Sequence, residues 1–217
     1  MAQSTAIPFV MVVDDDPSVR AAVESLIRSA GLAVQSFATA QELLDCPLPD
    51  APGCLVLDVR LPGGNGLDLQ RELADRNSPL PIIFVTGYAD VPTSVHAMKS
   101  GAVEFLPKPF GDQELLDAVE QALTQSRAAY RLRAELTDLR GRLALLTPRE
   151  REVMNLVVTG MLNKQIAYDL GISEVTVKLH RGRMMQKMRA ASVPDLVRMA
   201  ERAKPPTDAT AGEYTKV

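Results

Sequence analysis

The sequence predicts an α/β domain, a long linker helix and then a smaller all-α domain, the first built as a doubly wound parallel sheet. Three observations carry this. Short apolar runs alternate with helical patterns through the first half, and two of them are apolar almost throughout, as strands are when helices cover both faces of a sheet. From 112 to about 145 there is no proline, and Gly141 is the one glycine. Beyond that, a short helix, a glycine-containing turn and a second helix follow in order, which is a helix-turn-helix pattern.

Residues 7–13 read as the first strand. Pro17 suits the first position of a helix, and 18–30 keeps a helical period up to Gly31, a stop signal. Residues 32–37 are the second strand, and a short helix follows Thr39. The run CLVLD at 54–58 is the third strand. Asn65-Gly66 opens a helix that continues to Arg76. Residues 81–86 (PIIFVT) are the fourth strand, 91–100 the next helix, 102–106 the fifth strand, and a helix starts near Asp112.

Bulk numbers narrow the function. The chain has 217 residues, room for two small domains, with 46% hydrophobic and 24% charged residues. No apolar run reaches the length of a membrane span, and the start MAQSTAIPFV lacks the basic and apolar segments of a secretory signal. Cys46 and Cys54 show no metal spacing and read as reduced, buried thiols rather than a disulfide. The net charge of −3 conceals a division. Residues 1–125 carry 7 Lys/Arg and 17 Asp/Glu, hence −10; residues 126–217 carry 17 and 10, hence +7. The basic half is a candidate for nucleic acid.

In an open parallel sheet, ligands bind at the carboxyl ends of the strands. Asp14, Asp15 and Asp16 follow the first strand, Asp58 ends the third, Thr86 ends the fourth, and Lys108 lies just past the fifth. Alone, each acid is an ordinary solvated turn residue, Thr86 a strand-end hydroxyl and Lys108 a surface lysine. Together they suggest a hard cation held by carboxylates, an Asp nucleophile toward phosphorus, and a hydroxyl and an ammonium for phosphoryl oxygens.

The stretches VVDDDPSVR, LVLDVRLPGGNG, IIFVTGYAD and AVEFLPKPF resemble the receiver domain of bacterial two-component response regulators, over roughly 6–125. The resemblance implies a flavodoxin-like five-stranded sheet of order 2-1-3-4-5. It implies that Asp58 is the phosphoacceptor and that Mg²⁺ is held by Asp15, Asp58 and the backbone carbonyl of Arg60, with Asp14 acting largely through water. It also implies that Thr86 and Phe105 are switch residues, that Lys108 pairs with the phosphoryl group, and that Lys108-Pro109 is a cis peptide. The sequence departs from the usual pattern at Asp16, a third acid expected to be exposed or supporting. It departs in the glycines of LPGGNG, where a mobile loop is expected, and at Phe105, which lacks a tyrosine hydroxyl.

Leu132, Leu136, Leu139 and Leu143 step by four, three and four along the linker helix. Such a stripe either packs on a neighbouring domain or pairs between protomers. Thr147-Pro148-Arg149-Glu150 makes a capping box with proline at the first helical position. Residues 162–170 form a short helix with Ile166, Ala167 and Leu170 on one face, the GIS turn follows, and a second helix covers 174–188. Val175, Val177, Leu179 and Met185 are expected to supply its packing, and Met184, Met185 and Met188 to form a core stripe. Lys178, Arg181, Arg183, Lys187 and Arg189 supply positive charge.

LTPREREV, NKQIAYDLGIS and TVKLHRGRMMQKM resemble the LuxR-type helix-turn-helix domain over about 143–203. That implies a four-helix unit whose reading helix is 174–188. Thr176, Lys178 and Arg181 are the implied DNA contacts, Leu179 and Gly182 face base edges or the groove, and Asn163 and Lys164 bind phosphates. Gly182 is smaller than the usual residue, and His180 is a structural or phosphate-contacting residue rather than a metal ligand.

The combination is identified as the FixJ/NarL group: receiver at 1–125, helical linker at 126–142, DNA-binding domain at 143–204, disordered tail at 205–217. GCLVLDVRLP is also similar to regulators of aromatic-hydrocarbon catabolism, such as that of styrene. The resemblance implies a cytoplasmic, non-enzymatic transcription regulator. Its implied partners are a sensor histidine kinase, promoter DNA, RNA polymerase and a second copy of itself on phosphorylation, with no membrane. Two alternatives stand beside it: a haloacid-dehalogenase-like Mg²⁺-dependent phosphatase using Asp14-x-Asp16, and a DNA-binding regulator whose receiver only dimerises.

Overall fold

Strands of valine, leucine and isoleucine with no polar side chain before their last residue leave no face for water. In the computed structural model, which describes residues 7–62, 64–76, 80–87 and 91–203, strands β1 (Phe9–Val13), β3 (Gly53–Asp58) and β6 (Ile82–Thr86) are buried along their whole length. With β2 (Ala33–Phe37) and β7 (Glu104–Pro107) they form a parallel sheet of order β2-β1-β3-β6-β7 among the described residues. Counting only these long strands, the order is the expected 2-1-3-4-5.

Side chains alternate between the two faces. Val10, Val12, Cys54, Val56, Ile83 and Val85 face α1 (Pro17–Ser29) and the first turns of α5 (Asp112–Ala144). Met11, Leu55, Leu57 and Phe84 face α2 (Ala40–Asp45), α3 (Gly66–Asp75) and α4 (Val91–Lys99). Cys46 and Cys54 are both free. Burial pushes the Cys54 thiol up to about 12.

Two features differ from the expected elements. The loop after Asp58 contains a short antiparallel ribbon, β4 (Arg60–Leu61) with β5 (Gly64–Asn65); Gly63 lies outside the described residues. The fifth long strand also begins later than expected. Gly101 takes a left-handed conformation (φ 91°) after α4, and the Ala102 amide bonds back to the Ala97 carbonyl. That closure uses the residues expected to open the strand.

The chain divides into two units, Met1–Arg131 and Leu132–Val217. In the first, α5 is anchored beyond its apolar stripe: the buried Ser126 hydroxyl accepts from the Gly53 amide, and Tyr130 donates to the Asp50 carbonyl. In the second, Leu139 and Leu143 near the end of α5 pack into a core with Val153, Val157, Ile166, Val177, Met184, Met188 and Leu196, while Leu132 is exposed. Packing within its own unit thus accounts for the lower part of the leucine stripe. Helices α6 (Pro148–Val158), α7 (Asn163–Leu170), α8 (Glu174–Met188) and α9 (Val193–Ala203) complete this unit among the described residues. Thr147 and Glu150 form the capping box of α6, and Gly171 ends α7 in the left-handed region. The expected tail 205–217 lies outside the described residues.

Candidate functional site

Sheet register brings the acids together. Val13 lies opposite Leu57, so Asp14 leaves its strand beside Asp58. Asp58 lies opposite Val85, next to Thr86, and Thr86 lies opposite Pro107, next to Lys108. One carboxylate oxygen each from Asp14, Asp15 and Asp58 lie within 4.8 Å of one another. The Lys108 ammonium donates to Asp14 Oδ2 and to Asp58 Oδ2, both at 2.5 Å. Asp14 is 1% exposed, Asp58 6% and Thr86 1%, whereas Asp15 is open to solvent.

Crowded carboxylates in a poorly hydrated pocket resist ionisation. Burial pushes the Asp14 carboxyl above its usual value, although the Lys108 hydrogen bond and the Asp16 amide pull the other way. Burial would lower the Lys108 ammonium, but hydrogen bonds and charge from Asp14 and Asp58 outweigh it and hold Lys108 above its usual value. The donor set is anionic and all-oxygen, which suits a small hard divalent cation rather than a soft metal.

The backbone around these groups is tightly held. The Arg60 amide donates to Asp58 Oδ1 at 2.9 Å and the Lys108 amide to the Thr86 carbonyl at 2.7 Å. The Lys108-Pro109 peptide is cis, as expected. Phe105 is half-buried, its ring centroid 6.3 Å from that of Phe84. Asp16 does not join the cluster. It caps α1, accepting from the Ser18 and Val19 amides, and these bonds hold its carboxyl below the usual range. An Asp14-x-Asp16 pair of phosphatase type is therefore not formed.

Two residues escaped the sequence reading. Arg20, one turn into α1, donates through Nη1 to the Asp14 carbonyl (2.6 Å) and the Asp15 carbonyl (2.9 Å). The three acids have no basic neighbour in sequence, yet the fold gives them two. The signal was present as an arginine six residues after Asp14, on a helix whose side chains lean toward its N-terminus. Gly66 donates its amide to the Val59 carbonyl, and a Cβ there would lie 2.5 Å from the Asp58 carbonyl oxygen.

In the second unit, Val177, Met184 and Met188 of α8 are buried. Val175 and Leu179 each sit two residues from Val177, about 200° round the helix, and so point away from the core. They are 76% and 51% exposed, against the packing role expected of them. With Lys178 and Gly182 they form one exposed face; a Cβ at Gly182 would meet nothing within 4 Å. Thr176 is half-buried and bonded to Ser173 at the helix start. Arg181 donates to Asn163 Oδ1 at 2.8 Å, tying α8 to the start of α7, where Lys164 is exposed. Lys187 is not free to offer its charge outward, because it is bonded to the buried Glu150 and to the Leu145 carbonyl.

Comparison with known proteins agrees with both halves. Residues 10–120 match the response regulator receiver domain, and 144–200 match the bacterial regulatory proteins of the luxR family. Nodulation protein W of Bradyrhizobium diazoefficiens is 53% identical over 192 residues, covering 88% of this chain and 85% of that protein. Transcriptional regulatory protein FixJ of Azorhizobium caulinodans is 46% identical over 203 residues, covering 93% and 96%. The solved structure of response regulator StyR matches with a TM-score of 0.83 at 47% identity, covering 91% of this chain and all of that one. Among the described residues no helix is long and apolar enough to cross a membrane. The chain belongs to the bacterial response regulators of the FixJ/NarL type, in which a receiver domain is joined to a LuxR-type DNA-binding domain that controls transcription.

Proposed function

We propose that Asp58 accepts a phosphoryl group from a sensor histidine kinase and that this controls pairing of the chain and its binding to promoter DNA. One observation carries the reading: a carboxylate cluster at the strand ends, bridged by Lys108, in a chain whose second unit exposes a basic reading helix. Asp15, Asp58 and the Arg60 carbonyl would hold Mg²⁺, with Asp14 acting through water. The cation would supply charge neutralisation for the carboxylates and the phosphoryl oxygens.

An Asp58 oxygen forms the new O–P bond as the N–P bond to the kinase histidine breaks, and the histidine nitrogen leaves with the electron pair. Lys108 stands at the carboxylate and neutralises phosphoryl charge. Thr86 donates its hydroxyl to a phosphoryl oxygen, and Phe105, next to Phe84, is the aromatic switch residue. On DNA, Asn163 and Lys164 contact phosphates, Thr176, Lys178 and Arg181 contact the duplex from the reading helix, and Leu179 and Gly182 face the groove. The regulator works in the cytoplasm, as a homodimer when phosphorylated, and acts on RNA polymerase at the promoter.

The test is intact mass after incubation with acetyl phosphate and Mg²⁺, wild type beside Asp58→Asn. One added phosphoryl group on wild type alone is expected. A label that persists in Asp58→Asn would move the nucleophile elsewhere. No label on wild type would leave a receiver that works without phosphorylation.

A further inference from the structure

The turn that presents Asp14 and Asp15 leaves the sheet at once. The Asp14 amide makes the last strand bond, to the Phe37 carbonyl, and Asp16 already caps α1. Two residues in between must hold two carboxylates of like charge in one pocket. Their repulsion favours any backbone rotation that separates them. Arg20 opposes that rotation at the backbone: a single guanidinium nitrogen bonds both carbonyls, at 2.6 and 2.9 Å. From the other side the Asp16 amide bonds Asp14 Oδ1 at 3.0 Å. The backbone of Arg20 is held in the first turn of α1, where its amide donates to the Asp16 carbonyl.

We infer that Arg20 is a positioning residue for the cation pocket, clamping the Asp14–Asp15 turn so that both carboxylates face Asp58 before a cation arrives. This rests on the reading of that pocket as a divalent-cation and phosphoryl site. Arg20 touches neither carboxylate group, so it acts through the backbone that bears them. Groups that orient ligands in this way change metal affinity about 10- to 100-fold when removed.

The experiment uses the full chain and Mg²⁺ alone. Calorimetric titration gives the dissociation constant for wild type, Arg20→Ala, Arg20→Lys and Val23→Ala, and phosphoryl uptake from acetyl phosphate is followed at limiting and saturating Mg²⁺. Val23 is buried in the apolar core beneath α1 and makes no bond to the Asp14–Asp15 backbone, so Val23→Ala reports a loss of stability without removing the clamp. Arg20→Ala is expected to weaken Mg²⁺ binding about tenfold or more, to slow uptake at limiting Mg²⁺, and to recover at saturation. Arg20→Lys, which keeps the charge, should fall between it and wild type. Val23→Ala should lower the thermal midpoint and leave the Mg²⁺ affinity within about twofold, since its effect is confined to packing.

Wild-type affinity in Arg20→Ala overturns the inference, as does an equal loss in Val23→Ala. If Arg20→Ala does not fold, Arg20→Lys and Arg20→Gln carry the test, and wild-type affinity in both overturns it. A wild type that binds no Mg²⁺ would instead sink the reading of the pocket itself.

Discussion

Gly66 sets how closely α3 can approach Asp58. Its missing side chain leaves room for the Asp58 carbonyl, and a Cβ would come within 2.5 Å of that oxygen and 3.2 Å of Leu57 and Phe84. The nearest atom is backbone, so no rotamer change relieves the clash. Gly66→Ala is expected to cost about 1–3 kcal/mol in stability, as overpacking does, and to slow phosphoryl uptake because Asp58 must shift. Urea unfolding and the acetyl phosphate rate measure the two effects, and an unchanged midpoint with an unchanged rate would show that the helix start gives way freely. Asp14, Asp15, Asp58 and Lys108 were legible in the sequence as a group, because the strand ends that carry them share one edge of a parallel sheet. Gly66 and Arg20 were not, because their roles depend on distances between elements. Asn65-Gly66 reads as a helix start with or without a carbonyl beside it, and an arginine in a first turn looks like any solvated arginine.

Helix starts were the most legible elements. Asp16, Thr39, Asn65, Thr147 and Ser173 each place a side-chain oxygen on a backbone amide at a helix start, a local event that needs no partner element. The ribbon β4–β5 was missed because pairs two residues long carry no periodicity. Val175, on the exposed face of α8, was misassigned to packing because a valine marks a core only when the rest of the helix agrees. The capping box of α6 goes further than its motif suggests. Glu150 is buried, accepts from the Thr147 amide at 2.9 Å, and receives Lys187 at 2.6 Å from α8. The Lys187 hydrogen bond, then the Thr147 amide, hold its carboxyl below the ordinary glutamate value of 4.5. A carboxyl with a lowered folded pKa contributes stability above its unfolded value and loses it as pH falls through the folded one. The thermal midpoint of the DNA-binding unit should therefore lie higher in wild type than in Glu150→Gln at neutral pH, and the gap should close as pH falls below about 4.5. A gap that stays constant from pH 7 to 3 would assign the effect to packing rather than to charge.

At the scale of the whole chain, charge limits how phosphorylation can act. The receiver half already carries −10 against +7 in the second half, and a phosphoryl group adds about −1.5 to −2 more. Electrostatics alone then makes a single phosphorylated chain no better a ligand for DNA, whose affinity is dominated by phosphate contacts. A gain in affinity has to come from geometry, and joining two copies of α8 in one particle would supply it. The second contact becomes intramolecular, which strengthens binding by about 10²–10⁴ without any new contact. The exposed face of Val175, Lys178, Leu179 and Gly182 is the same in both copies, so a two-fold pair would read two half-sites about one helical turn apart. The prediction is specific to site architecture. On a duplex with paired half-sites, recovered by selection from random DNA, phosphorylation should tighten binding at least about tenfold, with a steeper dependence on protein concentration. On a duplex with one half-site it should change affinity little, or weaken it. Fluorescence anisotropy at one fixed salt concentration, with Asp58→Asn treated identically as the unphosphorylated reference, separates the cases. An equal gain on both duplexes would mean that phosphorylation acts within one chain by freeing its reading helix, and pairing would then follow DNA binding rather than cause it.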